Sequence, residues 1–192
     1  MPGPLPHSPQ NGTLLVLRGN SGSGKSTVAR ALHQRYDHGR STLIAQDNIR
    51  RTILREPDAP GAFNIELIEL IATTCLPHRQ LVIVEGILDA DRYGSMLEKL
   101  ATRARRAFFY AWDLTFEQTL IRHTQRPQVT EFGETEMQSW YHGWQPLPFV
   151  TETRIDHAWT QNATVERILH DLHEPEIQGE GVSSGAPSET SD

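Results

Sequence analysis

Residues Gly19 to Thr27 read Gly-Asn-Ser-Gly-Ser-Gly-Lys-Ser-Thr. This run fits G-x-x-x-x-G-K-[ST], a phosphate-binding loop that works only between a strand and a helix. Its neighbours supply both. Thr13-Leu-Leu-Val-Leu17 is an apolar stretch that predicts a buried strand. Ser26 to Tyr36 then carries Val28, Ala29, Ala31, Leu32 and Tyr36 at helical spacing. Glycines in the loop permit close approaches that side chains would block. Its amides, with the positive end of the helix, can then surround phosphate oxygens. The expected cradle is Gly19, Asn20, Ser21, Gly22, Ser23, Gly24, Lys25, Ser26 and Thr27. Within it, Lys25 would reach the outer phosphates and the Ser26 hydroxyl would ligate Mg²⁺.

The rest of the chain repeats the strand-then-helix order. Strands are predicted at Ser41 to Ala45, Leu81 to Val84, Ala107 to Trp112 and Thr153 to Trp159. Helices are predicted after Asp47 through Leu54, at Asn64 to Cys75, Asp91 to Leu100, Phe116 to Arg126, Glu134 to Tyr141 and Thr164 to Leu172. Pro57, Pro60 and Gly61 mark a loop, and Pro127 a helix stop. Such alternation predicts an α/β fold in three layers, a parallel sheet with helices on both faces. Right-handed crossovers would bring the glycine loop, Asp47, Glu85 and Asp113 to one edge of the sheet.

Composition sets the limits of this domain. Met1 to Gly12 holds four prolines without apolar periodicity, and the stretch beyond Leu172 is rich in Glu, Gly, Ser and Pro. Residues 1–12 and 173–192 are therefore expected to be disordered, leaving 13–172 as one domain with a small helical lid near 122–145. The net charge of −6 sits largely in the tail, where Glu174, Glu176, Glu180, Glu189 and Asp192 leave only −1 for the remainder. A near-neutral body argues against extensive nucleic-acid binding. Cys75 is the sole cysteine, which excludes an intrachain disulfide and reads as a buried thiol. No Lys or Arg precedes Arg18, and no apolar run approaches the roughly 18 residues of a membrane span. The expectation is a cytoplasmic protein without membrane contact.

Several side chains along the predicted edge could carry chemistry. Asp47 could accept a proton from a substrate hydroxyl, or merely cap the following helix. Arg50, three residues on, could orient the same substrate, whereas Arg51 is expected to face away. Glu85 could hold a metal-bound water, contact substrate, or be satisfied by loop amides. Arg122 and Arg126 share a helix face and could close over a transferring phosphoryl group or be solvated. Trp140, Tyr141 and Trp144 could wall an acceptor site or pack in the core.

With these residues placed, the chain resembles the small-molecule and polynucleotide kinase group of phosphate-loop proteins, including chloramphenicol phosphotransferase, zeta toxin and phage-type polynucleotide kinase. The Gly19 to Thr27 loop is the strongest match. Asp47 with Arg50 looks like the base-and-arginine segment of those families, and Glu85-Gly86 like the acidic segment of zeta toxins. Arg122 and Arg126 are similar to the paired lid arginines of polynucleotide kinases. Glu85-Gly86-Ile87 stands where deoxynucleoside kinases have Glu-Arg-Ser, and the guanine signature Asn-Lys-x-Asp is absent. The resemblance implies ATP and Mg²⁺ as cofactors. It also implies γ-phosphoryl transfer to a hydroxyl of a small molecule such as a nucleoside, antibiotic or similar metabolite, by a monomer or homodimer. Catalysis would rest on Lys25, Asp47, Arg122 and Arg126, with Asp47, Arg50 and Glu85 on the acceptor. Two alternatives stay open: a 5′-hydroxyl polynucleotide kinase, and an ATP-dependent switch without an acceptor.

Overall fold

A computed structural model describes residues 12–124 and 134–174. Most of the two expected tails, and the part of the expected lid that holds Arg126, lie outside the described residues. Five parallel strands form one sheet: β1 (Thr13–Gly19), β2 (Ser41–Ala45), β3 (Leu81–Gly86), β4 (Arg106–Trp112) and β5 (Thr153–Ile155), in the spatial order β2-β3-β1-β4-β5. Among the described residues six α-helices accompany them: α1 (Lys25–Gln34), α2 (Phe63–Cys75), α3 (Ala90–Arg103), α4 (Phe116–Thr124), α5 (Glu134–Trp140) and α6 (Gln161–His173).

β1 runs through the middle because its neighbours on both sides are apolar. Leu14, Leu15, Val16 and Leu17 are all fully buried, each worth about 1.5–3 kcal/mol relative to exposure. Strand alternation divides them between two cores. Leu14 and Val16 pack with Ile68 and Ala72 of α2 and Tyr93, Met96, Leu97 and Leu100 of α3. On the opposite face Leu15 and Leu17 pack with Val28, Ala29 and Leu32 of α1 and Val165 and Ile168 of α6. This is the expected three-layer architecture. Cys75 is half-buried at the edge of the first core, a little more open than expected.

Caps explain where element bounds differ from the expected ones. Asp89 accepts from the amides of Asp91 and Arg92, so α3 begins at Ala90. Thr160 Oγ1 accepts from Ala163 N at 3.2 Å and starts α6 at Gln161, three residues early. β5 stops at Ile155, short of the expected Trp159. Asp156 there folds back, its carboxylate accepting from Ala158 N and its carbonyl from Trp159 N. The segment after β2, Asn48–Leu54, is a π-helical turn rather than an α-helix. Such wide turns are rare and concentrate at functional sites. Among the described residues no helix is long and apolar enough to cross a membrane.

Candidate active site

The chain leaves β1 at Gly19 and turns into α1 through Gly24, whose φ of 104° is the left-handed region that suits glycine. Gly22, at φ 81°, passes so close to α4 and α5 that a Cβ would lie 2.8 Å from the Thr119 carbonyl oxygen. The loop is thus pressed between sheet and helices. Lys25 is buried and donates from Nζ to the Asn20 carbonyl at 3.3 Å. Ser26 Oγ donates to Glu85 Oε2 at 2.9 Å, linking the start of α1 to the end of β3. Glu85 is itself buried. A hydroxyl and a carboxylate brought together in this way are hard oxygen donors of the kind Mg²⁺ takes.

Asn20 does something its position in the loop gives no hint of. Its side-chain amide donates to the Gly143 carbonyl at 3.0 Å and accepts from His142 N at 2.9 Å. It therefore clasps the segment after α5 onto the glycine loop. Arg18, just before it, donates to the Gln145 carbonyl and forms a buried ion pair with Glu152 at 3.0 Å. Ser23 is almost fully buried, and its hydroxyl has no hydrogen-bond partner among the described residues.

Asp47 lies after β2, as expected, but it caps no amide of the π-helical turn. Its Oδ1 instead accepts from Arg50 Nη2 at 3.0 Å and from Arg51 Nε at 3.2 Å. Loss of hydration pushes its carboxyl pKa up, yet the charge of Arg51, the Arg50 hydrogen bond and the charges of Lys25 and Arg50 outweigh it. Asp47 is consequently held below the ordinary carboxylate range and stays ionised at neutral pH. Arg51 does not face away, which corrects the expectation. A residue four positions on shares a helix face with the first, so Arg51 meets Asp47 as Arg50 does. Its guanidinium also lies over the Trp140 ring, 4.9 Å from the centroid.

Two neighbouring clefts lie here, with lining residues in common. A cavity of about 280 Å³ is lined by Ser21, Lys25, Asp47, Arg51 and Trp140. Arg51, Ile87 and Trp140 also line a larger chamber of about 770 Å³, with Arg50, Asp58, Arg92 and His142 among its other walls. The chamber floor is braced by buried Tyr93, whose hydroxyl accepts from Gln46 Nε2 and lies 2.8 Å from both Asp58 Oδ1 and Asn64 Oδ1. Arg92 is tied to Asp58 at 3.2 Å and to Asp89 at 3.4 Å. Leu88, buried at φ 47°, turns the chain so that Ile87 and Asp89 both reach this wall.

A third cavity, about 510 Å³, opens on the other side of the loop, lined by Gly24, Thr27, Arg122, Trp159 and Gln161 among others. Arg122 spans it, donating to the Ser23 carbonyl at 2.8 Å and to the carbonyls of His157 and Trp159. Burial pushes its guanidinium pKa down, opposed by the charge of Asp156. The expected aromatic cluster divides. Trp140 walls the chamber, while Tyr141 packs edge-on against Phe116 and donates to the Leu114 carbonyl. Trp144 lies beneath Arg154, which pairs with Asp113 at the end of β4.

Sequence reasoning thus missed Arg51 and the Asn20 clasp. The i, i+4 spacing of Asp47 and Arg51 was the available signal for the first; the clasp joins residues more than a hundred positions apart and left none.

A family model described as "AAA domain" matches residues 14–138. No curated protein matches the chain significantly. Among solved structures it is similar to the APS kinase CysC of Mycobacterium tuberculosis, solved with AMPPNP and APS. The identity is 19% and the TM-score 0.65, over 85% of this chain and 98% of that one. A gluconokinase from Sinorhizobium meliloti 1021 is 21% identical, with TM-score 0.58 over 85% and 93% of the two chains. The tunicamycin resistance protein of Deinococcus radiodurans is 15% identical, with TM-score 0.58 over 83% and 95%. Carrying the glycine loop, the 2-3-1-4-5 parallel sheet and the matched family model, this chain belongs to the AAA domain family and has the phosphate-loop kinase fold.

Proposed function

We propose that this protein is an ATP-dependent kinase that transfers the γ-phosphoryl group to a hydroxyl of a small molecule. The observation that carries the reading is the 280 Å³ cleft, which puts Lys25 of the glycine loop and the ionised Asp47 in one space, beside a larger chamber that shares Arg51, Ile87 and Trp140 with it. The chamber beside these two groups leaves room for an acceptor, which favours transfer over switching.

In this reading the amides from Gly19 to Thr27 hold the phosphates and Lys25 balances their charge. The base would sit over the 510 Å³ cavity, with Arg122 reaching the phosphates from the same side. Ser26 and Glu85 would hold Mg²⁺, which when bound neutralises charge on the phosphate oxygens. The acceptor hydroxyl enters from the chamber and hydrogen-bonds to Asp47. Its oxygen attacks the γ-phosphorus, the bond to the ADP oxygen breaks, and the hydroxyl proton passes to Asp47. Trp140 closes one side of this space, and Arg50 steadies Asp47 from the other. Arg126 would add charge from the lid. Two structures of similar fold are named as an APS kinase and a gluconokinase, which supports a small-molecule acceptor.

The test is transfer of label from γ-³²P-ATP across metabolite, nucleoside and antibiotic pools, with Lys25→Ala as control. A labelled product that depends on Lys25 supports the reading. ATP hydrolysis without any labelled product, in every pool, would sink it in favour of a switch.

A further inference from the structure

We propose that Arg51 is the anion-recognising residue of the chamber, so that the preferred acceptors carry a carboxylate, sulfate or phosphate near the reacting hydroxyl. This rests on the kinase reading above and adds a substrate class to it.

Three arginines line the chamber, and their donors are differently engaged. Arg92 is held by Asp58 and Asp89 and also donates to the Asp58 carbonyl at 2.8 Å. Arg50 has only 13% of its side chain exposed and spends its two outer nitrogens on Asp47 and the Glu56 carbonyl. Arg51 has 43% of its side chain exposed. It uses Nε alone, on Asp47, and neither Nη has a hydrogen-bond partner among the described residues. Those two nitrogens form the planar fork that matches a carboxylate, sulfate or phosphate with paired hydrogen bonds.

The fork is also held in place before any ligand arrives. Asp47 fixes its Nε and the Trp140 ring lies against its plane, so little freedom remains to be lost on binding. Arg50 and Arg51 share the one carboxylate of Asp47, whereas Arg92 faces both Asp58 and Asp89 and a third aspartate, Asp91, also lines the wall. The chamber is thus balanced in charge as a whole, and an anion would be chosen by the geometry of the Arg51 fork rather than by net charge. Because Asp47 and Arg51 are in contact, an anion on the fork brings a nearby hydroxyl of the same molecule toward the proton acceptor. The expected contact role of Arg50 becomes a positioning role, and recognition passes to its neighbour.

The experiment uses the full chain with MgAMPPNP and matched probe pairs: gluconate against glucitol, glycerate against glycerol, and glucose 6-phosphate against glucose. Binding is read by calorimetry and by quenching of tryptophan fluorescence. The expected result is that the anionic member of at least one pair binds about tenfold or more tighter than its neutral twin, as one paired charge-assisted contact provides. Arg51→Gln should erase that preference and Arg51→Lys should keep part of it, with melting curves checking that both variants fold. The proposal is overturned if no anionic probe outbinds its twin, or if the preference survives in Arg51→Gln. Failure of wild-type protein to bind MgAMPPNP would instead remove the kinase reading itself.

Discussion

The two sides of the cleft are built on different plans. On the nucleotide side, nine consecutive residues supply the candidate cradle, and most of its donors are main-chain amides fixed by the strand–loop–helix turn. On the proposed acceptor side the walls are side chains drawn from the π-helical turn, the loop holding Pro57 to Pro60, the start of α3 and the end of α5. A backbone cradle tolerates changes in side-chain identity so long as the glycines remain. A side-chain chamber changes character with each substitution. Phosphate binding should therefore respond to a few positions strongly, and acceptor choice to many positions moderately.

The largest effect should come from Lys25→Ala, which removes the buried cation of the candidate cradle. A loss of about 10³-fold in phosphoryl transfer is expected, as for removal of a central electrostatic stabiliser. If the variant turns over at the wild-type rate, the cradle is not the reaction centre. Asp47→Asn should lower kcat by roughly 10²–10³-fold, the range for a general base, with MgATP binding by calorimetry preserved. Loss of nucleotide binding as well would mean that the two sides are not separable. Glu152→Ala strands Arg18 in a buried position and should cost about 3–5 kcal/mol in urea unfolding. Asn20→Ala removes two hydrogen bonds, about 1 kcal/mol each. It should raise the acceptor KM more than the ATP KM, since what it frees is the chamber wall at His142.

The smallest effect concerns pH. Asp47 titrates below the ordinary carboxylate value, so its ion pairs contribute above the unfolded-state pKa of about 3.9 and are lost as pH falls through the lower folded value. The acid limb of the rate profile is thus expected below the usual carboxylate range, and Arg51→Gln should move it upward. An acid limb near neutrality would show that another group serves as base.

The same contrast explains what could be read in advance. Strands β1, β3 and β4 announce themselves by unbroken apolar runs, and their parallel pairing follows from the helices between them. The glycine loop is legible because its function is local. Thr160 and Asp89, whose caps set two helix starts, were readable in type though not in position. The chamber was only half legible. Asp47 and Arg50 follow a strand in sequence, but the partners that define their surroundings, Trp140 and His142, come from about ninety positions on. Nothing in a short window encodes such a meeting. The π-helical turn escaped for a related reason: apolar periodicity over seven residues does not distinguish it from an α-helix.

Trp140 lines the chamber beside Arg51 and His142 and belongs to neither hydrophobic core. The wall that carries Arg51, Trp140 and His142 thus stands apart from the apolar packing that keeps the chain folded, while the Asp58 side is braced by core Tyr93. Descendants of such a gene can try new chemistry at these positions without first risking collapse, and one scaffold can spread across many metabolic niches.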